Sequence, residues 1–143
     1  MSYDLQLIDG DLVLQNGELQ TVQNSQKLIQ DILKILLTDV GADPLQPAYG
    51  SFLSRAVIGT AIANGAIVQI AKSQINTCLT NLQQLQQKQV QSMQKVSADE
   101  QLAAITNISV VRSVFDPRLF NIKVSCLTKG FQKVEPSFTV STI

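Results

Sequence analysis

A chain of 143 residues is long enough to bury one continuous core, and its 45% hydrophobic content sets it apart from disordered tails. Eleven basic and eleven acidic residues cancel, so no net field draws the chain to nucleic acid or to an anionic membrane. It has no histidine, which excludes Ser-His and Cys-His nucleophile pairs and histidine metal sites.

The start, MSYDLQLIDG, has neither the basic nor the apolar region of a signal peptide. Leu5-Gln6-Leu7 and Leu12-Val13-Leu14 are short strand candidates on either side of Asp9-Gly10-Asp11, and Asn16-Gly17 is a turn leading into Glu18–Val22. A small N-terminal hairpin results, too short to stand alone. Leu28, Ile29, Ile32, Leu33 and Leu36 then recur at helical spacing, which predicts a helix over Ser25–Thr38 with Ser25 as its N-cap. Ile35 and Leu37 widen its apolar stripe, and Gly41 suits the left-handed residue that ends it.

Two prolines and two glycines in GADPLQPAYG make Gly41–Gly50 a loop. A long helical region follows over about Ser54–Val96, interrupted near Asn64-Gly65. Its apolar run Ala56–Ala71 falls short of the roughly 18–20 residues that span a bilayer, and Asn64 and Gln69 break it, so it reads as a buried helical segment. Ile75, Cys78, Leu82 and Leu85 continue a seam at three- and four-residue spacing. The seam fades in the glutamine-rich Gln83–Gln94, which predicts a protruding helical part around residues 83–96 that packs against a neighbour.

Ser97-Ala98-Asp99-Glu100 has the form of a capping box and predicts a short helix ending before Thr106. Ile108–Val114 is the next strand. Phe120, Ile122, Val124 and Cys126 alternate with polar residues as a half-buried strand does, and Gly130 marks another turn. Ser137–Ile143 is a final strand with Phe138 and Val140 on one face. Between the first two of these strands, Asp116-Pro117-Arg118 has the composition of a bend. The fold class is therefore α+β in a single domain over 1–143: an N-terminal hairpin, two main helices, one of them long, and a late antiparallel sheet of about three strands.

Chemistry is poorly provided for. Asp9/Asp11 and Asp99/Glu100 are acidic pairs, but glycoside hydrolysis needs carboxyls that face each other across a cleft. Asp9-Gly10-Asp11 lacks the rest of a calcium loop. Gly59–Gly65 ends in Ala66-Ile67 where a phosphate loop needs Lys-Ser/Thr. Cys78 and Cys126 have no metal-ligand spacing and are expected to be buried thiols. No catalytic residue, cofactor or metal is expected.

The order of DLQLIDGDLVLQNGELQTV, QKLIQDILKILLTDVGADP and PAYGSFL over Asp4–Gly59 resembles the baseplate wedge and sheath-initiator family of contractile phage tails, which includes the type VI secretion protein TssE. The likeness continues through Ala98–Leu127. It implies a non-enzymatic part of a virion tail baseplate, made in the host cytoplasm and present in several copies, six in a ring. Its expected partners are other wedge proteins, the tail sheath, and tube or hub proteins, with neither nucleic acid nor membrane. Family members join wedge proteins to the first sheath ring partly by exchanging β-strands, which here implicates Ser137, Phe138, Thr139, Val140, Ser141, Thr142 and Ile143. The family's Glu-Pro-Arg motif lies where the last helix meets the late sheet. Here that junction reads Asp99-Glu100-Gln101-Leu102, and Asp116-Pro117-Arg118 stands one strand later. A second expectation is a generic helical adaptor that pairs through Leu82 and Leu85. A third is a cell-wall hydrolase.

Overall fold

The computed structural model describes residues 3–53 and 64–141. The expected start of the long helix at Ser54, with its apolar run from Ala56, lies outside the described residues, as do Thr142 and Ile143 of the expected final strand.

The N-terminal part is more than a hairpin. Asp4–Gly10, Asp11–Gly17 and Glu18–Asn24 are three successive seven-residue repeats, each opening on an acid followed by leucine. Three short antiparallel pairs form: β1 (Tyr3–Leu5) with β6 (Thr21–Gln23), β2 (Leu7–Ile8) with β3 (Asp11–Leu12), and β4 (Leu14–Gln15) with β5 (Glu18–Leu19). Asp9-Gly10 and Asn16-Gly17 turn the second and third pairs with φ of 52° and 81°, and of 54° and 80°. That is the primed turn whose twist suits a two-residue hairpin. At the centre the repeats close a ring of backbone hydrogen bonds. Gln6 N–H donates to Gln20 C=O (2.8 Å), Gln20 N–H to Val13 C=O (3.0 Å), and Val13 N–H to Gln6 C=O (3.2 Å).

In the third repeat Asn24 stands where Gly10 and Gly17 stand in the others. It keeps a positive φ of 55° but leads into α1 (Asn24–Leu37) rather than into another strand. The helix thus starts behind an extended Gln23 with no side-chain cap, not at a Ser25 cap, because the repeat sets the entry. Leu28, Ile32, Ile35 and Leu36 are buried as expected, whereas Leu37 is exposed. Gln30 is also buried, and it ties α1 to the repeats: Oε1 accepts from Leu7 N–H (2.9 Å) and Nε2 donates to Leu5 C=O (2.8 Å). Gly41 has the positive φ expected of it (88°), but it is not the helix cap. The chain already turns extended at Thr38, so that Asp39 can form a parallel bridge with Ser51.

Helix α2 (Asn64–Gln91) sets Ile67, Ala71, Ile75, Cys78, Leu79 and Leu82 into the same core as α1. The first part of its glutamine-rich end is tied to the domain, whereas residues 87–95 are exposed. Gln86, 6% exposed, accepts from Leu102 N–H (2.8 Å) and donates to Glu100 C=O (2.9 Å), and Gln83 donates to Ala103 C=O (3.0 Å).

The capping box at Ser97 is present, with Ser97 N–H donating to Glu100 Oε2 (2.9 Å), but it opens only a single 3-10 turn, Ala98–Glu100. The expected helix up to Thr106 is instead the start of β7 (Leu102–Arg112), because Gln86 captures Leu102 and pairing with β8 (Leu119–Thr128) begins there. A cap motif stabilises a first turn; it does not outweigh a ladder of strand pairing. The sheet order is β10-β8-β7, all antiparallel, with β10 spanning Ser137–Ser141 and the short β9 (Lys133–Val134) also on β8. Phe120, Ile122, Val124 and Cys126 point into the core, as their alternation predicts. Both cysteines are buried free thiols, and burial pushes Cys78 up to about 12 and Cys126 up to about 11.

Candidate functional site

The two margins of the late sheet differ. Along β7 the register to β8 slips twice, between Leu102 and Ala104 and between Ile105 and Asn107. Each bulge twists the margin and spoils it as a template for another strand. Along the other margin the register is unbroken. Cys126 pairs with Val134, Val124 N–H donates to Pro136 C=O (3.0 Å), and Lys123 to Leu119 pair with Ser137 to Ser141. β9 and β10 are one strand in register, separated only where Pro136 offers no N–H to the ladder.

Antiparallel alternation then fixes which backbone groups point outward. The Val124–Pro136 pair is hydrogen-bonded, so Phe138 and Val140 bond to β8, while Ser137 and Thr139 turn their N–H and C=O away from it. Phe138 and Val140 pack half-buried on the core. The first part of this margin carries Glu135 between Lys133 and Lys123, at 2.8 and 3.1 Å, charges of the kind that blunt an edge. The Ser137–Ser141 part has no charged side chain.

Leu82 and Leu85 lie elsewhere, on α2, which packs against β7 at the opposite margin. Leu82 is 6% exposed and belongs to the chain's own core, and Leu85 is half-buried at its edge. Both line an open groove of about 760 Å³ between α2 and the α1–β1 face, whose other walls include Tyr3, Tyr49, Gln86 and Gln89. A chain of ion pairs runs along its α1–β1 wall: Lys27 to Asp31 (2.7 Å), Asp31 to Lys34 (3.5 Å), and Lys34 to Asp4.

Burial works against ionisation of Asp4, yet the hydrogen bond and charge of Lys34, with help from Leu5 N–H and Gln30, carry its carboxyl below the usual value. Glu135 is held down to about 2, first by its hydrogen bond to Lys133 and then by that to Lys123. Asp116 is lowered as well, chiefly by Arg118 N–H. A general acid in glycoside hydrolysis needs a carboxyl whose pKa is raised. These three move the other way. Among the described residues no cluster of three or more metal-ligating side chains occurs, and no helix is long and apolar enough to cross a membrane.

The depressed carboxyls make a pH prediction. A group with a lower pKa in the folded state stabilises the fold above its unfolded pKa, about 4, and that stability is lost as pH falls through the folded value. Urea midpoints are therefore expected to drop as pH falls from about 5 towards 2. Asp4→Asn is expected to be less stable than the parent at pH 6, with the difference shrinking at pH 3. A constant difference at both values would contradict the assignment of Asp4 to the Lys34 pair.

The sequence reading found the last strand but not the glutamine clips. The signal was present for one of them: Gln86 follows Leu82 by four residues, on the seam of Ile75, Cys78 and Leu82, where a polar side chain needs a buried partner.

Comparison of the sequence with protein-family profiles and with curated proteins gives no match. The fold is similar to that of a protein from Geobacter sulfurreducens described as a candidate tail lysozyme, with a TM-score of 0.64 at 9% sequence identity, covering 93% of this chain and 97% of that one. A similarity that spans nearly the whole of both chains is a similarity of the complete α+β arrangement.

Proposed function

We propose that this chain is a structural component of a contractile phage tail baseplate, linking wedge proteins to the first sheath ring and catalysing no reaction. The observation that carries this reading is the fold similarity, almost end to end, to a protein described as a candidate tail lysozyme. The resemblance of Asp4–Gly59 to the wedge and sheath-initiator family supports the finer assignment. In this reading the chain sits in the virion in several copies, six in a ring, contacting wedge proteins, sheath, and tube or hub proteins.

The link to the sheath is a strand added to the uncharged Ser137–Ser141 margin. Each new backbone hydrogen bond contributes about 0.5–1.5 kcal/mol net, so a short strand gives a few kcal/mol per copy, multiplied by ring symmetry. Thr139→Pro tests this, because it removes an outward N–H that β8 does not use, at an edge where proline is tolerated. The variant is expected to melt within about 3 °C of the parent, while tails assembled with it lack sheath. Normal sheath on such tails would remove strand addition from the reading, and absence of the chain from imaged tails would remove the reading itself.

The description of the similar protein as a lysozyme raises hydrolysis as a second reading. Peptidoglycan incubated with the purified chain is expected to remain intact; turnover that Asp-to-Asn and Glu-to-Gln variants abolish would establish it.

A further inference from the structure

The bend at Asp116-Pro117-Arg118 does more than reverse the chain. Residues Ser113–Arg118 form a loop locked by its own hydrogen bonds. Ser113 N–H donates to Leu119 C=O (2.8 Å), Leu119 N–H to Asp116 C=O (3.1 Å), Arg118 N–H to Asp116 Oδ1 (2.9 Å), and Phe115 N–H to Ser113 Oγ (3.3 Å). At its tip this fixed loop holds Val114 94% exposed and Phe115 98% exposed. A tight, bonded loop that presents an aromatic side chain wholly to water loses little conformational entropy when the ring is covered. Such a side chain is the typical anchor of a contact.

A hollow that fits it lies on the same chain. Val40, Ala48, Gly50, Phe52, Thr77 and Cys78 line a mostly apolar recess of about 200 Å³ between α2 and the residues flanking the Gly41–Gly50 loop. A cavity of about 150 Å³ accepts benzene, so the volume of this open recess is enough for a phenyl ring. Two exposed apolar side chains accompany it, Phe52 (46% exposed) in its wall and Leu45 (92% exposed) in the loop. Charge points the same way. Arg112 and Arg118 flank the tip, with Asp116 paired to Arg118, whereas Asp39 stands next to Val40 and Asp43 within the loop, with the cation Lys88 beyond Ala48 and Asn81.

We infer that the chain associates head to tail with a second copy of itself, the Val114-Phe115 tip of one copy entering the hollow over Cys78 of the next. Tip and hollow are different surfaces, so the contact is heterologous: it leaves one tip and one hollow open, and repeats into a ring or a filament. The inference rests on the loop and the hollow and stands apart from the tail reading, since it concerns the purified chain alone.

Sedimentation of the full chain over a concentration series tests it. The weight-average mass is expected to rise with concentration for the parent. It is expected to stay close to monomer for Phe115→Ser, which removes the tip, and for Thr77→Trp, which fills the hollow, each weakening association by at least about tenfold. Both positions are exposed, and melting curves check that each variant folds. An equimolar mixture supplies intact hollows from the first variant and intact tips from the second. It is expected to form dimers that grow no further. A parent that stays monomeric up to about 1 mM, the weak end of specific association, overturns the inference. So does a Phe115→Ser variant that associates like the parent, or a mixture that does not dimerise.

Discussion

Gly50→Ala is expected to destabilise the chain by about 2–6 kcal/mol, enough to lower the melting temperature by roughly 10 °C or more. Gly50 has a φ of 118°, and a Cβ there would lie 2.6 Å from Thr38 O, 2.9 Å from Asp39 C and 3.0 Å from Asp39 O. All three are backbone atoms at the point where the chain leaving α1 meets the chain returning from the proline-rich loop. They are held by Ser51 N–H donating to Thr38 C=O (2.8 Å), Val40 N–H to Ser51 C=O (3.2 Å) and Ser51 Oγ to Leu36 C=O (2.6 Å). Neither side can give way without breaking one of these bonds. Gly41→Ala is the control. Its φ of 88° is also unsuited to alanine, but a Cβ there meets nothing within 4 Å, so it pays only the backbone strain of about 1–3 kcal/mol. Thermal unfolding followed by circular dichroism checks the pair, and equal shifts for the two variants would show that the contact at Gly50 carries no weight.

The same residue shows why some of this fold could be read in advance and some not. Gly50 was recognisable as part of a loop from composition, but the reason for its being glycine is a neighbour eleven and twelve residues upstream. Periodicity reported α1, the inner face of β8 and the inward side of β10 correctly, because in each case one row of side chains meets one core. It misplaced what depends on distant partners. The box at Ser97 is a sound local signal and forms as such, yet strand pairing ends the helix after one turn. The glutamines of α2 look like solvent-facing residues until Gln86 and Gln83 are seen bonding β7. The three seven-residue repeats were visible in the letters from Asp4 to Asn24, but two-residue turns invite a hairpin reading and hide the closure among Gln6, Val13 and Gln20. For the candidate site, alternation placed Phe138 and Val140 on one face. Only the register to β8 told which backbone groups of β10 face away from it, and only the bulges of β7 told which margin has the regular register. An exposed aromatic tip has no sequence signature at all, because exposure is a property of what does not pack against it.

Phe120→Ala joins the stability of the core to the β10 margin. Phe120 is 2% exposed near the start of the middle strand, paired with Arg112 on β7 and with Val140 on β10, and the Arg112 guanidinium lies 5.3 Å from its ring centroid. Removing a buried phenyl ring costs about 3–5 kcal/mol through lost burial and the cavity left behind. Against a total of about 5–15 kcal/mol for a domain, that is a large share. The loss falls unevenly. β7 keeps its long ladder to β8, whereas β10 has only five paired residues and relies on Phe138 and Val140 packing beside Phe120. Amide exchange in Phe120→Ala is therefore expected to rise first at Phe138 and Val140, whose N–H groups bond to β8, with the midpoint for global unfolding reduced in parallel. Phe120→Leu keeps most of the volume and is expected to cost less than half as much while leaving β10 protected. If Phe138 and Val140 remain as protected in Phe120→Ala as in the parent, β10 does not depend on this ring and is held by its backbone ladder alone.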